Sequence, residues 1–182
     1  MNIFYIHSDP EIAAQMMVDK HVVKMILESA QLLSTAHRVL DGIQTVGESK
    51  TGRSAKRWIL NDMRDVMLYQ ATHVNHPSAI WCRASVDNYL WLAFHLSSLC
   101  QEYTHRYGKV HKVERDGLLK ILMDCPYSLK TIPLTPMPCA MDPEYIISND
   151  PVTNYRNYYN KGKVKLHAWT NRPVPDWIEN NV

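Results

Sequence analysis

Phenylalanine is nearly missing from this 182-residue chain: Phe supplies two of its aromatic residues, against ten Tyr and five Trp. Almost every ring therefore carries a hydrogen-bonding handle, and nine His extend the set. Such rings suit binding surfaces as well as cores. Strong charge of one sign is also missing, since the formal net charge is +2; this excludes a polycation of the histone or linker type. No apolar run reaches the ~18 residues that a membrane span needs. The opening Met1–Asp9 stretch lacks the basic-then-apolar layout of a signal peptide, so a cytoplasmic protein without membrane contact is expected. Cys82, Cys100, Cys125 and Cys139 contain no C-x-x-C pair, which excludes zinc-ribbon and thioredoxin motifs and leaves them as reduced thiols. There is no Gly-rich phosphate loop, no G-x-S-x-G and no H-E-x-x-H, so P-loop hydrolysis and the common hydrolase motifs are unsupported. His73-x-x-His76 is half of a metal set with no second pair. No metal and no cofactor are expected.

What is there reads as one globular domain. Hydrophobic residues make up 46% and charged residues 21%, and the length suffices to bury a core without disulfides. Residues 2–6 read as a short strand or extended lead-in. Ser8, Pro10 and Glu11 form a helix start of the S-x-x-E capping type, and the helix should run from Asp9 to Leu40. Its apolar stripes, Ile12, Met16, Val23, Ile26, Ala30 and Leu33 with Met25, Leu32, Val18 and Ala36, leave a narrow polar arc of Lys20, Lys24, Glu28, Gln31 and Arg38. A helix this apolar is central. Residues 41–54 read as a loop. A second helix is predicted from Ser54 to Thr72, with Trp58, Met63, Val66 and Met67 inward. His73 to Pro77 breaks it, and Pro77 starts a short helical segment through Trp81. Ser85 caps a long helix to Tyr107, striped by Tyr89, Leu92, Leu96, Leu99 and Tyr103 and ended by Gly108. A fourth helix covers Glu114–Met123. Eight of the ten prolines lie from Pro126 onward, so residues 125–150 should wrap irregularly over the helical body of residues 1–124. A last helix, Pro151–Asn160, opens the basic-aromatic segment 151–182. The period is helical almost everywhere, and the expected class is all-α or nearly so: a single helical domain around a long central first helix.

Three constellations carry possible chemistry. Asp19-Lys20-His21 sets a carboxylate, an amine and an imidazole against apolar walls. Desolvation there would shift their pKa values toward acid–base work, and the bland alternative is a buried ion pair of Asp19. Asp19 and His21, two residues apart, point about 160° away from each other on a helix. His37 reads as a satisfied core histidine. The stretch around His73, Asn75, His76, Trp81 and Arg83 packs imidazoles, an amide, an indole and a guanidinium into one loop between helices. The alternative there is a plain helix cap. Third, residues 151–175 hold five Lys or Arg and no Asp or Glu. Arg156, Lys161 and Lys163 interleave with Tyr155, Tyr158 and Tyr159, a pattern that suits phosphates and stacked bases; the alternative is a solvated helix docked by its tyrosines. Lys24 adds a further phosphate-binding candidate.

Glu11-Ile12-Ala13-Ala14-Gln15 opening a long first helix, Pro77-Ser78 leading into a long amphipathic helix, and Tyr155-Arg156-Asn157-Tyr158-Tyr159-Asn160-Lys161-Gly162-Lys163 together resemble the phage-type pyrimidine-dimer DNA glycosylases. The chain also resembles a set of tailed-phage proteins of this length, which would place it in an infected host cell. The resemblance implies a helical fold and an α-amine, exposed by removal of the initiator Met, that attacks the sugar C1′ with help from a Glu on the first helix. An α-amine titrates at about 7.7–8.0, which makes it a workable nucleophile near neutrality. The sequence differs from that pattern at two points. Asn2 is large enough to discourage Met removal, which leaves the amine on Met1. Where the Glu is expected the chain reads Val22-Val23, with Asp19 the nearest carboxylate.

Three functions fit these features. The first is an enzyme cleaving a glycosidic or phosphodiester bond of nucleic acid or a nucleotide, with Asp19, Lys20 and His21 as catalytic candidates and Trp81 and the tail tyrosines stacking a displaced base. The second is a non-catalytic binder that sequesters a nucleotide signal used in host defence, or binds DNA. The third is an interaction protein whose aromatics form an interface. The oligomeric state stays open.

Overall fold

The computed structural model describes residues 1–48 and 51–179. Helices dominate: α1 Pro10–Met16, α2 Asp19–Asp41, α3 Arg64–Met67, α4 Pro77–Cys82, α5 Val86–Tyr107, α6 Lys112–Arg115, α7 Leu118–Leu122 and α8 Pro151–Gly162. Strands β1 Ile43–Glu48 and β2 Ser54–Ile59 form one antiparallel hairpin. The mostly helical class expected from the sequence is what forms. Among the described residues no helix is long and apolar enough to cross a membrane.

The core is built on α5, against which α1 and α2 both pack. Leu92, Leu96 and Leu99 are fully buried there, each contributing about 1.5–3 kcal/mol by burial. The ends of α5 follow the sequence signals. Ser85 accepts from the Asn88 N–H at 3.1 Å, and Gly108 closes the helix at φ +63°, a conformation costly for residues with a Cβ. Pro151 starts α8 behind Asp150, whose carboxylate accepts from the Val152 and Thr153 N–H groups. Between them the proline-rich stretch is irregular, broken by one 3-10 turn at Pro143–Tyr145.

Several expectations need correction. The first helix is two helices, because Met17 and Val18 are extended and fully buried. The break gives the Asp19 N–H a tertiary acceptor, the Ala168 carbonyl at 2.9 Å, and lets the Trp169 indole donate to the Met16 carbonyl at 2.9 Å. The cap of α1 is Asp9, not Ser8; its carboxylate accepts from Glu11 and Ile12. Ile43–Glu48 and Ser54–Ile59 pair as hairpin strands in place of a loop and a helix start, and Met63 and Val66, expected inward, are 77% and 88% exposed. The fourth helix is also split, at Gly117 with φ +81°.

Buried Arg38 anchors the hairpin's root. Its guanidinium donates to the carbonyls of Trp58, Asp65, Leu68 and Tyr69 and to the Asp65 carboxylate, at 2.7–3.0 Å. Gly42 sits beside it because a Cβ there would lie 2.5 Å from the Arg38 carbonyl.

Candidate active site

The first residues curl over the middle of α2. The Asn2 N–H donates to Glu28 Oε2 at 2.9 Å, and the Met1 nitrogen lies 3.9 Å from the same oxygen. Asn2 makes the curl: its Oδ1 accepts from the Ile3 and Phe4 N–H groups at 2.8 and 3.1 Å, and its Nδ2 donates to the Ala140 carbonyl at 2.8 Å. Phe4 takes φ +57°, a left-handed conformation that costs a residue with a Cβ about 1–3 kcal/mol. Packing holds it there. The Phe4 ring stacks on His21 with centroids 4.0 Å apart and on Tyr158 at 6.1 Å.

Glu28 is a buried carboxylate facing an amine, and Lys24 Nζ approaches it at 3.3 Å from an exposed position one turn earlier. His76 borders the same site. Its pKa is lowered by burial first, then by the Met1 amine and by His73, while Glu28 opposes the shift. The His76 ring also accepts from the Ser78 N–H and so caps α4. The structure thus brings Lys24 and His76 toward the Met1–Glu28 pair, whereas His73 and Asn75 line a neighbouring cavity with Gln44, Lys56 and Trp58. Chemically this is an amine beside a buried carboxylate, a pairing suited to nucleophilic and acid–base work, with a lysine and an imidazole at the rim.

Glu28 is the residue that sequence reasoning missed. On the sequence alone it falls on the polar arc of the helix. A signal existed in its surroundings: it is the one carboxylate in a run, Met25 to Leu33, otherwise made mostly of small and apolar residues. Its partner, however, is 26 positions away.

The other candidates lie elsewhere. Asp19 is clamped by Arg106 at 2.7 Å and by the Thr170 N–H and hydroxyl at 2.9 and 2.8 Å. Burial raises its pKa, but the hydrogen bonds from Thr170 and Arg106 win and hold it below the ordinary value. Arg106 is also bound by Glu102, which in turn pairs with Arg172, so Asp19 belongs to the buried ion-pair alternative. Lys20 is exposed. His21 is buried and bonded to the Tyr159 hydroxyl at 2.6 Å; burial, with Lys163 and Lys24 nearby, pushes its pKa down to about 3. It is a neutral core group, not a pocket wall. His37 is a core histidine too, 2.8 Å from the Tyr89 hydroxyl.

The stacking candidates are mostly core. Tyr155 and Tyr159 are fully buried, and Trp81 is 5% exposed with its indole donating to the Thr135 carbonyl at 3.0 Å. None of the three offers a free ring face to a base. Tyr158 is half-buried between Phe4 and Tyr145, under Lys163 Nζ at 4.5 Å. Arg156 donates to the Ile6 carbonyl at 2.9 Å. Lys161 is exposed, 3.9 Å from Glu179. Arg83 is half-buried, with its Nη1 lacking a partner among the described residues. Among the described residues no group of three or more His, Cys, Asp or Glu converges as a metal site.

The fold and site together define a helical protein that sets an amine against a buried carboxylate at the start of its chain. The family model described as pyrimidine dimer DNA glycosylase matches residues 1–115, and the chain belongs to that family. No curated protein and no solved structure matches it.

Proposed function

We propose that the protein is a DNA glycosylase with lyase activity, in which the Met1 α-amine is the nucleophile and Glu28 the acid–base group. Its support is one observation: a single buried carboxylate oxygen faces both the Met1 and Asn2 nitrogens, at 3.9 and 2.9 Å, in a chain of this family. The neutral amine donates its lone pair to C1′ of the target sugar. The C1′–base bond breaks, the departing base takes a proton from solvent, and the attached amine loses a proton to the Glu28 carboxylate. Glu28 then passes that proton to the ring oxygen as the C1′–O4′ bond breaks, which leaves a protonated imine. Removal of a C2′ proton from that imine expels the 3′ phosphate, which cuts the strand. Asn2 positions the amine through its three side-chain hydrogen bonds. Should Met1 be removed, the Asn2 nitrogen stands closer still to the same oxygen. Lys24, His73 and His76 supply positive or polar contacts for the flanking phosphates, and Lys161 and Lys163 extend that surface.

The test is single-turnover incubation with duplexes carrying a pyrimidine dimer or an abasic site, with and without borohydride. The wild type should be trapped on DNA as a reduced imine. Glu28→Gln should lower the rate about 10²–10⁴-fold, the ordinary range for losing a general acid–base. Binding of intact DNA without turnover or trapping would contradict the reading and favour a binder.

A further inference from the structure

Resting on that reading, we infer that the β1–β2 hairpin is an arm that grips duplex DNA to one side of the reacting sugar, with Lys56 as its phosphate contact. The sequence of the arm favours nucleic acid: Ile43–Ile59 carries Lys50, Arg53, Lys56 and Arg57 against the single acidic Glu48. Its surface does so too. Lys56 is exposed and, among the described residues, makes no ion pair, while its cross-strand partner Val46 is 77% exposed. A basic side chain paired with an apolar one matches a phosphate beside a thymine methyl, and a two-stranded ribbon has the dimensions of the B-DNA major groove.

The arm is also rigidly rooted and correctly placed. Arg38 fixes its base through the Trp58 carbonyl, and Trp58 itself is buried. The register places Gln44, Val46, Lys56 and Trp58 on one face of the ribbon. Between that face and the turn after α3 lies a cavity of about 500 Å³, lined by Gln44, Lys56, Trp58, Thr72, His73 and Asn75. Thr72 ties this turn to α2, because its N–H donates to Thr35 Oγ1 at 3.1 Å. Thr35 is seven residues beyond Glu28, which returns to the same helix face about 10 Å along the axis. A DNA strand advances about 3.4 Å per nucleotide, so the cleft lies about three nucleotides from the reacting sugar. One strand runs through the cleft while the ribbon enters the groove. The turn holds His73 at φ +49°, with its Nδ1 2.8 Å from Thr72 Oγ1.

The test uses the full-length protein and a duplex with a reduced, uncleavable abasic site. Binding is followed by fluorescence anisotropy between 50 and 200 mM salt. Lys56→Ala should bind about five- to tenfold more weakly, and its slope of log K against log salt should shrink by about 0.9, the loss of one phosphate contact. Lys56→Arg should restore both. Thermal stability, and the trapping rate at saturating DNA, should not change. Trimming the duplex on one side of the lesion should weaken the wild type and abolish the difference from Lys56→Ala; trimming the other side should do neither. Unchanged affinity and slope in Lys56→Ala, while the wild type still traps DNA, would overturn the arm alone. Failure of the wild type to bind or trap any DNA would overturn the glycosylase reading beneath it.

Discussion

Replacing Asp19 with Asn separates a structural carboxylate from a catalytic one. In the structure Asp19 joins three pieces of chain: the start of α2, Arg106 near the end of α5, and Thr170 in the C-terminal segment. The Asn variant keeps one carbonyl oxygen of the same shape, so the Thr170 contacts survive in neutral form. What it loses is the charge facing Arg106. A hydrogen bond to a charged group contributes about 1.5–3 kcal/mol, roughly twice a neutral one. Arg106 keeps Glu102 as a partner, so no guanidinium is left without a counter-charge. The expected cost is therefore about 1.5–3 kcal/mol, which lowers Tm by about 3–12 °C in a domain of this size. The pH dependence follows as well. Asp19 has its pKa lowered in the fold, so its stabilisation is present above the unfolded value of about 3.9 and is lost as the pH falls through the lower folded value. The Asn variant should lack that part of the acid transition. Thermal unfolding between pH 2 and 7, with imine trapping at 20 °C, checks both. Normal Tm with abolished trapping would refute the structural assignment and return Asp19 to the chemistry.

Three further outcomes are expected. His21, His37 and His95 have pKa values lowered by burial to about 3, 4 and 4, so each stabilises the fold as a neutral ring above its unfolded value of about 6.5 and loses that contribution as the pH falls toward its folded value; their ring NMR signals should not titrate between pH 8 and 5.5. Arg38→Met should cost about 3–5 kcal/mol, because it leaves the Asp65 carboxylate and four carbonyls without their donor, and hydrogen exchange should rise first in β1 and β2. Asn2→Ala removes three hydrogen bonds and should cost about 1.5–4.5 kcal/mol, and at a temperature where it stays folded it should slow trapping, because the turn that fixes the amine loses its side-chain acceptor; an unchanged trapping rate would show that Asn2 does not position the amine.

The parts of this fold that were legible in the sequence are those whose causes are local. Ser85, the Tyr89–Leu99 stripe and Gly108 define α5 within its own residues, and Asp150-Pro151 does the same for α8. The Met17–Val18 break has no Pro or Gly to announce it, because its cause is the tail that docks at Asp19 and Met16. The hairpin was hidden by two opposite signals. Trp58, Met63, Val66 and Met67 mimic a helical stripe, whereas the β-branched Ile43, Thr45, Val46 and Ile59 favour strands. Tertiary anchoring of Trp58 through Arg38 decides for the strands. At the site, His76 stands out in the sequence within a density of ligand-type groups. Glu28 does not, because its meaning comes from the chain start folding back on it. Their basic neighbours give the tail tyrosines the pattern of a binding surface, but Tyr155 and Tyr159 turn inward from α8 to pack the core.

The most direct test of the account is the position of the DNA adduct. After borohydride reduction and digestion, mass spectrometry should find the sugar fragment on the α-nitrogen of the N-terminal peptide, with Glu28→Gln suppressing it and Lys20→Ala and Lys24→Ala leaving its position unchanged. An adduct on the side chain of Lys20 or Lys24, or strand cleavage with no adduct at all, would contradict the assignment of the amine and of Glu28 beside it.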